Sequence, residues 1–272
     1  MIGLVGLGQM GSAMRHRLRA QGQAVRGFDL DASLGSDCAS LAGVAAPLVI
    51  LSLPHAVAVA AVLEGLLPHL PPGAVIADTS TIEPAEVLRF AHQAGGAGVA
   101  YLDAPVSGGP AGAAAGQLAV MIGGSAAALE RARPTLLLLA ARIVHVGASG
   151  AGQVAKLANN LLVATHLAAA AEALRMAARA GVPPEAILPV INAASGRSAA
   201  TEVNWPRWIM TGAFDSGFTA GLMRKDVRLA LALAEEVGAA LPVCGAAAAS
   251  WEGSAVEDAA EFNRVAAGIF EG

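Results

Sequence analysis

Apolar positions recur along this chain at two different periods, and the period changes near the middle. In the first half, short aliphatic runs are each followed by a stretch with helical spacing. Residues 2–5 (IGLV), 24–29 (AVRGFD), 48–53 (LVILSL) and 74–78 (AVIAD) read as strands, and "VAYLDAPVSG", "LAVMIGG" and "RIVHVG" continue the pattern. Between them, residues 11–21, 55–67 and 84–94 and the run "AAALERARPTLLLLA" read as helices. Such alternation predicts an α/β domain built on a mostly parallel, doubly wound sheet.

After about Ser149 the strand signals stop. Residues 154–180 read as one helix, so apolar all round that it is expected to be buried on most sides. It stops at Gly181, with Pro183 and Pro184 beyond. Residues 185–194, about 221–238, 242–252 and the run "EDAAEFNRVAAGIF" add further helices. The predicted plan is therefore a doubly wound domain over residues 1–148, then an all-α domain over residues 149–272 with a long buried helix.

Composition narrows the function classes. The 272 residues carry a net charge of −4 and no basic run, which argues against nucleic acid and against an anionic membrane surface. Hydrophobic residues make up 55%, but alanine inflates that figure. A candidate membrane stretch, residues 44–63, is divided by Pro47 and Pro54, so it reads as a strand followed by a helix. Cys38 and Cys244 fit no disulfide framework or metal spacing, which points to reduced thiols and a cytoplasmic setting. The six histidines form no cluster, and no metal site is assigned.

Chemistry enters at the first strand–helix junction. Gly6, Leu7, Gly8, Gln9, Met10 and Gly11 form G-x-G-x-x-G. Gly6 permits the tight turn, Gly8 admits a pyrophosphate to the backbone, and Gly11 lets helix and strand approach closely. The following helix N-terminus offers unpaired N–H groups to the phosphates. Asp29 closes the second strand, where a carboxylate would hold the ribose hydroxyls and repel a 2′-phosphate. No arginine follows it, and Arg26 points elsewhere by strand alternation, so NAD is favoured over NADP. This is a Rossmann dinucleotide site, and Leu53 and Pro54, ending another strand, would line the cofactor.

Lys156 and Asn160 lie four apart, on one face of the long helix. A buried ammonium is costly unless it lies at a polar cleft, and burial would lower its pKa and suit it to proton transfer near neutral pH. The alternative is a lysine snorkelling at a helix end. Ser107, Gly108 and Gly109 form a turn whose hydroxyl and N–H groups could bind an anion, or an ordinary loop.

Five motifs in order, "GLGQMGSAM", "DTSTIEP", "DAPVSGG", "GASGAGQVAKLANN" and "KDVRLALALA", resemble the β-hydroxyacid dehydrogenase family, which includes 3-hydroxyisobutyrate dehydrogenases. The resemblance implies hydride transfer between NAD and a small 3-hydroxy acid. It makes Lys156 the catalytic acid/base, Asn160 a holder of substrate and lysine, and residues 107–109 the grip on the substrate carboxylate. Thr81 and Lys225 match positions beside the nicotinamide, whereas Asp226 is read as a capping or ion-pair residue. Arg197, Asn204 and Trp205 could border the pocket, and Gly109 in place of a basic residue argues against a large sulfonate or phosphonate. Hydroxyisobutyrate, L-serine, 3-hydroxypropionate and, in the reductive direction, tartronate semialdehyde fit. A homodimer or homotetramer through the helical domain is implied.

The chain departs from the family in having only 18 residues between Asp29 and Leu48, too few for a full helix there. Three rivals are weighed. An NADPH-dependent imine reductase would usually carry another residue at the Lys156 position. A 6-phosphogluconate dehydrogenase would need basic phosphate ligands. A non-catalytic NAD-binding regulator would have no need of Lys156, Asn160 and Ser107 together.

Overall fold

The computed structural model describes residues 1–272, which divide into two compact units, Met1–Lys156 and Leu157–Gly272. In the first unit, strands β1 (Ile2–Val5), β2 (Val25–Phe28), β3 (Leu48–Leu51), β4 (Val75–Asp78) and β5 (Ala100–Asp103) run parallel in the order β2-β1-β3-β4-β5. β6 (Val106–Ser107) carries the chain onward past Asp103. It pairs antiparallel with β7 (Leu118–Gly123), which in turn pairs parallel with β8 (Ala140–Gly147).

Strand alternation sends successive side chains to opposite faces. Ile2, Leu4, Leu48 and Ile50 join one core with Met14 and Leu18 of α1 (Gln9–Ala20). Val5, Val49, Leu51 and Ile76 join another with α2 (Ala56–Leu66) and α3 (Pro84–Gly96), through Val59, Leu63, Val87 and Phe90. Helices therefore cover both faces, as the alternating pattern predicts. The stretch considered as a membrane span becomes β3 and α2, separated by Pro54.

The short segment between β2 and β3 forms only two 3-10 turns, Ala32–Leu34 and Leu41–Val44. Asp37 binds it to β2: its N–H donates to the Gly27 carbonyl (2.8 Å) and its carboxylate accepts from the Gly27 N–H (2.7 Å). Arg19 donates to the same carboxylate (2.6 Å).

Two further helices complete this unit, α4 (Gly109–Ala115) and α5 (Ala126–Leu139). The sequence pattern missed α4, because "GPAGAAA" has no apolar stripe and reads as a glycine-rich loop.

The second unit is helical. α6 (Ala151–Arg179) starts in the first unit and continues into the second. α7 (Pro184–Ala193), a π-helical stretch at Ala200–Ile209, α8 (Ala220–Glu236), α9 (Pro242–Glu252) and α10 (Asn263–Glu271) follow. In the π stretch the Met210 N–H donates to Trp205 O, five residues back, and Pro206 has no N–H to give. Leu157, Leu161, Ala164, Leu167, Ala171 and Leu174 of α6 join one core with Met223, Val227 and Trp251.

α6 is buried on most sides, as its apolar sequence predicts, except along one stripe, where Val154, Leu162 and Met176 are 45%, 51% and 69% exposed. One expectation is corrected here: the last predicted helix begins later, at Asn263. The residues before it pair elsewhere: Ala220 N–H donates to Ala260 O, and Phe262 N–H donates to Phe218 O.

Candidate active site

The parallel strands end together. Val5 is level with Phe28 and Leu51, Leu51 with Asp78, and Asp78 with Asp103. The segments leaving these ends therefore share one edge of the sheet. They carry the glycine turn after β1, Asp29 after β2, Leu53 and Pro54 after β3, and Thr81 after β4. β1 lies between β2 and β3, so the chain reverses its winding there, which is where such sheets bind ligands.

Each glycine of the turn meets a different steric demand. Gly6 has φ +91°, and a side chain on it would run into the Ser52 carbonyl. A side chain on Gly11 would strike the Gly6 carbonyl. Gly8 faces open space. α1 starts at Gln9 with Gly8 as its cap and no side chain bonded to its first N–H groups. An open glycine before uncapped amides fits a pyrophosphate.

Asp29 is tied to this turn. Its Oδ2 accepts from the Leu7 N–H (2.6 Å) and its Oδ1 from the Asp31 N–H (2.9 Å). Each carboxylate oxygen keeps a further lone pair for a ribose hydroxyl. Arg15 is engaged with the Gly35 carbonyl (2.7 Å) and Asp37 (3.6 Å). Arg26 points toward the Gly43 carbonyl (3.5 Å).

Beneath the same edge lies a buried polar network. Leu53 N–H donates to Ser80 Oγ (2.9 Å), and Ser80 N–H donates to Asp78 Oδ1 (2.9 Å). Tyr101 donates its hydroxyl proton to Asp78 Oδ2. Asp78 is fully buried, and burial pushes its pKa up to about 6 against the lowering effect of these donors, with the Asp103 charge adding to the rise. Burial and the Asp78 charge raise the Tyr101 hydroxyl well above its usual range.

Ser107 ends β6 opposite Ala119, and Gly108 (φ +124°) and Gly109 (φ +65°) lead into α4. A side chain on Gly108 would press on Leu118 at 3.2 Å, so the strand-to-helix corner needs its glycine. The three residues thus form a corner rather than a plain loop.

Lys156 and Asn160 lie one turn apart on α6, with only 6% and 4% of their surfaces exposed. Lys156 is therefore no snorkelling lysine with its head in water. Within the helical unit, Asn160 Nδ2 donates to Asp226 Oδ2 (2.6 Å). Lys225 Nζ lies 3.3 Å from the other oxygen of Asp226. Asp226 forms the expected ion pair, but it also fixes the amide of Asn160, a role the sequence did not reveal.

Asn204 and Trp205 are both buried within the helical unit. Asn204 donates to Asn263 Oδ1 (2.7 Å), and Trp205 stands edge-on to Phe270 at 5.4 Å. Arg197 is exposed.

Comparison with known proteins agrees with this geometry. Residues 1–147 match the family described as the NAD binding domain of 6-phosphogluconate dehydrogenase. Residues 150–266 match that described as NAD-binding of NADP-dependent 3-hydroxyisobutyrate dehydrogenase. The chain is 38% identical to 2-(hydroxymethyl)glutarate dehydrogenase of Eubacterium barkeri, over 93% of this chain and 88% of that one. It is also 38% identical to NAD-dependent L-serine dehydrogenase of Pseudomonas aeruginosa, over 89% and 88%. The solved structure of Mycobacterium tuberculosis 3-hydroxyisobutyrate dehydrogenase with L-serine superposes with a TM-score of 0.90 at 35% identity, covering 97% of each chain. With these likenesses spanning both units, the chain belongs to the β-hydroxyacid dehydrogenase family, NAD(P)-dependent enzymes that oxidise small 3-hydroxy acids.

Proposed function

We propose that Lys156 is the general acid/base of a reversible NAD-dependent oxidation of a small 3-hydroxy acid, of the 3-hydroxyisobutyrate or L-serine kind. The observation that carries this reading is the burial of Lys156 on the same helix face as Asn160. A buried amine is costly unless it is paired or lies at a polar cleft.

The residues divide the work as follows. Gly6 through Gly11 and the N-terminus of α1 hold the pyrophosphate, and Asp29 takes the ribose. Leu53 and Pro54 would line the cofactor, and Thr81 and Lys225 would border the nicotinamide, which when bound accepts or returns the hydride. Ser107 and the N–H groups of Gly108 and Gly109 bind the substrate carboxylate. In the oxidative direction, Lys156 Nζ starts neutral and takes the hydroxyl proton; in the reductive direction, it gives that proton back. Asn160, its amide held by Asp226, keeps substrate and lysine in register. The N-terminal region, residues 1–148, is the dinucleotide domain, and residues 149–272 serve substrate binding and self-association through the exposed stripe of α6. The two free thiols suit a cytoplasmic enzyme.

Lys156→Ala tests the reading. The variant should fold and bind NAD as before, while kcat with L-serine or 3-hydroxyisobutyrate falls by about 10²–10⁴-fold. A variant with wild-type kcat would remove Lys156 from the mechanism.

A further inference from the structure

The first turn of α6 is fastened to the sheet by two side chains that the mechanism leaves without a part. Asp103, at the end of β5, has no solvent exposure. Its Oδ1 accepts from the Gly150 N–H (2.9 Å) and its Oδ2 from the Gln153 N–H (3.0 Å). The helix has no acidic residue in its own first turn, so this borrowed carboxylate meets both its amides and its dipole.

The surroundings are shaped for it. A side chain on Gly152 would lie 2.8 Å from Asp103 Oδ2 and 2.6 Å from the Met121 carbonyl, and one on Gly123 would collide with the carboxylate. Glycine at both positions is what lets the carboxylate reach the helix.

Gln153, also fully buried, holds the neighbouring loop. Its Nε2 donates to the Ser80 carbonyl (2.7 Å), and its Oε1 accepts from the Ile82 N–H (3.3 Å). These bonds bracket Thr81. Gln153 precedes Lys156 by three residues, a single helical turn. One clamp thus holds the loop expected beside the nicotinamide and the turn that carries the amine.

We infer that Asp103 and Gln153 are positioning residues, which together set Lys156 and Thr81 in fixed relation. The inference rests on the proposed role of Lys156. A merely structural pair would affect how much protein folds. A positioning pair affects what each folded molecule does, because small misplacements of a reacting group are costly in rate.

Gln153→Met keeps the size of the side chain and removes both of its bonds. Gln153→Glu retains the acceptor for Ile82 and loses the donor to Ser80, so it serves if the first variant does not melt cooperatively. We expect kcat per folded molecule to fall about 10- to 100-fold, with KM for NAD within about twofold. The limb of the kcat/KM pH profile that Lys156→Ala abolishes should also be displaced. Wild-type kcat, or a lowered kcat with that limb unmoved, would overturn the inference while leaving Lys156 as the base. Full activity in Lys156→Ala, run beside it, would instead remove the reading on which the inference stands.

Discussion

Asp78 shows how one residue can link the buried network to pH. Burial raises its carboxyl to about 6, so the folded protein holds the proton more tightly than the unfolded chain does. From about pH 4 to pH 6 the unfolded chain has already released it, and stability therefore falls as pH rises through that window and levels off above it. Asp78→Asn should abolish this contribution. The stability of the variant relative to wild type should climb by roughly 1–3 kcal/mol between about pH 4 and pH 7. Urea unfolding at several pH values measures it, and a difference that does not vary with pH would show that Asp78 does not titrate in this range. The same residue illustrates what a sequence hides. In "DTST" the resemblance singles out Thr81, yet Asp78 and Ser80 beside it carry the hydrogen bonds that shape the loop. Asp103 was equally hidden, because its partners lie 47 and 50 residues downstream. By contrast, Lys156 and Asn160 share a face by spacing alone.

At the scale of elements, the glycine turn separates folding from binding. Gly11→Ala drives a methyl group into the Gly6 carbonyl, and should destabilise the protein by about 2 kcal/mol or more. Gly8→Ala meets nothing within 4 Å, so its melting temperature should match wild type, while NAD affinity drops about tenfold or more. Thermal melts and NAD titrations on the two variants test the contrast. Equal losses of affinity without any change in melting would mean that the turn is not held by close packing. This turn could be read from the sequence because its three glycines fall at a fixed spacing within six residues, between a strand pattern and a helix pattern. β1, β3 and β4 could be read because burial on both faces requires unbroken aliphatic runs. α4 could not, because a helix built of glycine, alanine and proline carries no periodic signal. The late start of α10 was equally hidden, since the residues before it bond to the Phe218–Ala220 segment, some forty positions earlier.

For the molecule as a whole, the exposed stripe of α6 is the feature that asks for a partner. Leu162 and Met176 stand in solvent on a helix whose other faces fill a core. Apolar groups so aligned gain by being covered, at about 25 cal/mol per Å². Light scattering after gel filtration should show a dimer or tetramer for the wild type, and a smaller species for the Leu162→Glu, Met176→Glu double variant. A monomeric wild type would overturn this. The edge of the sheet in the first unit poses a different exposure problem. β2 is the first strand in the sheet order and has a strand neighbour on one side only. Unpaired backbone on such a border is a template onto which another chain can add, and so a route to aggregation. Asp37 occupies both halves of the Gly27 backbone on β2, with Arg19 steadying it. A stretch too short to lay a helix alongside the sheet thus still blunts its rim, through a single aspartate.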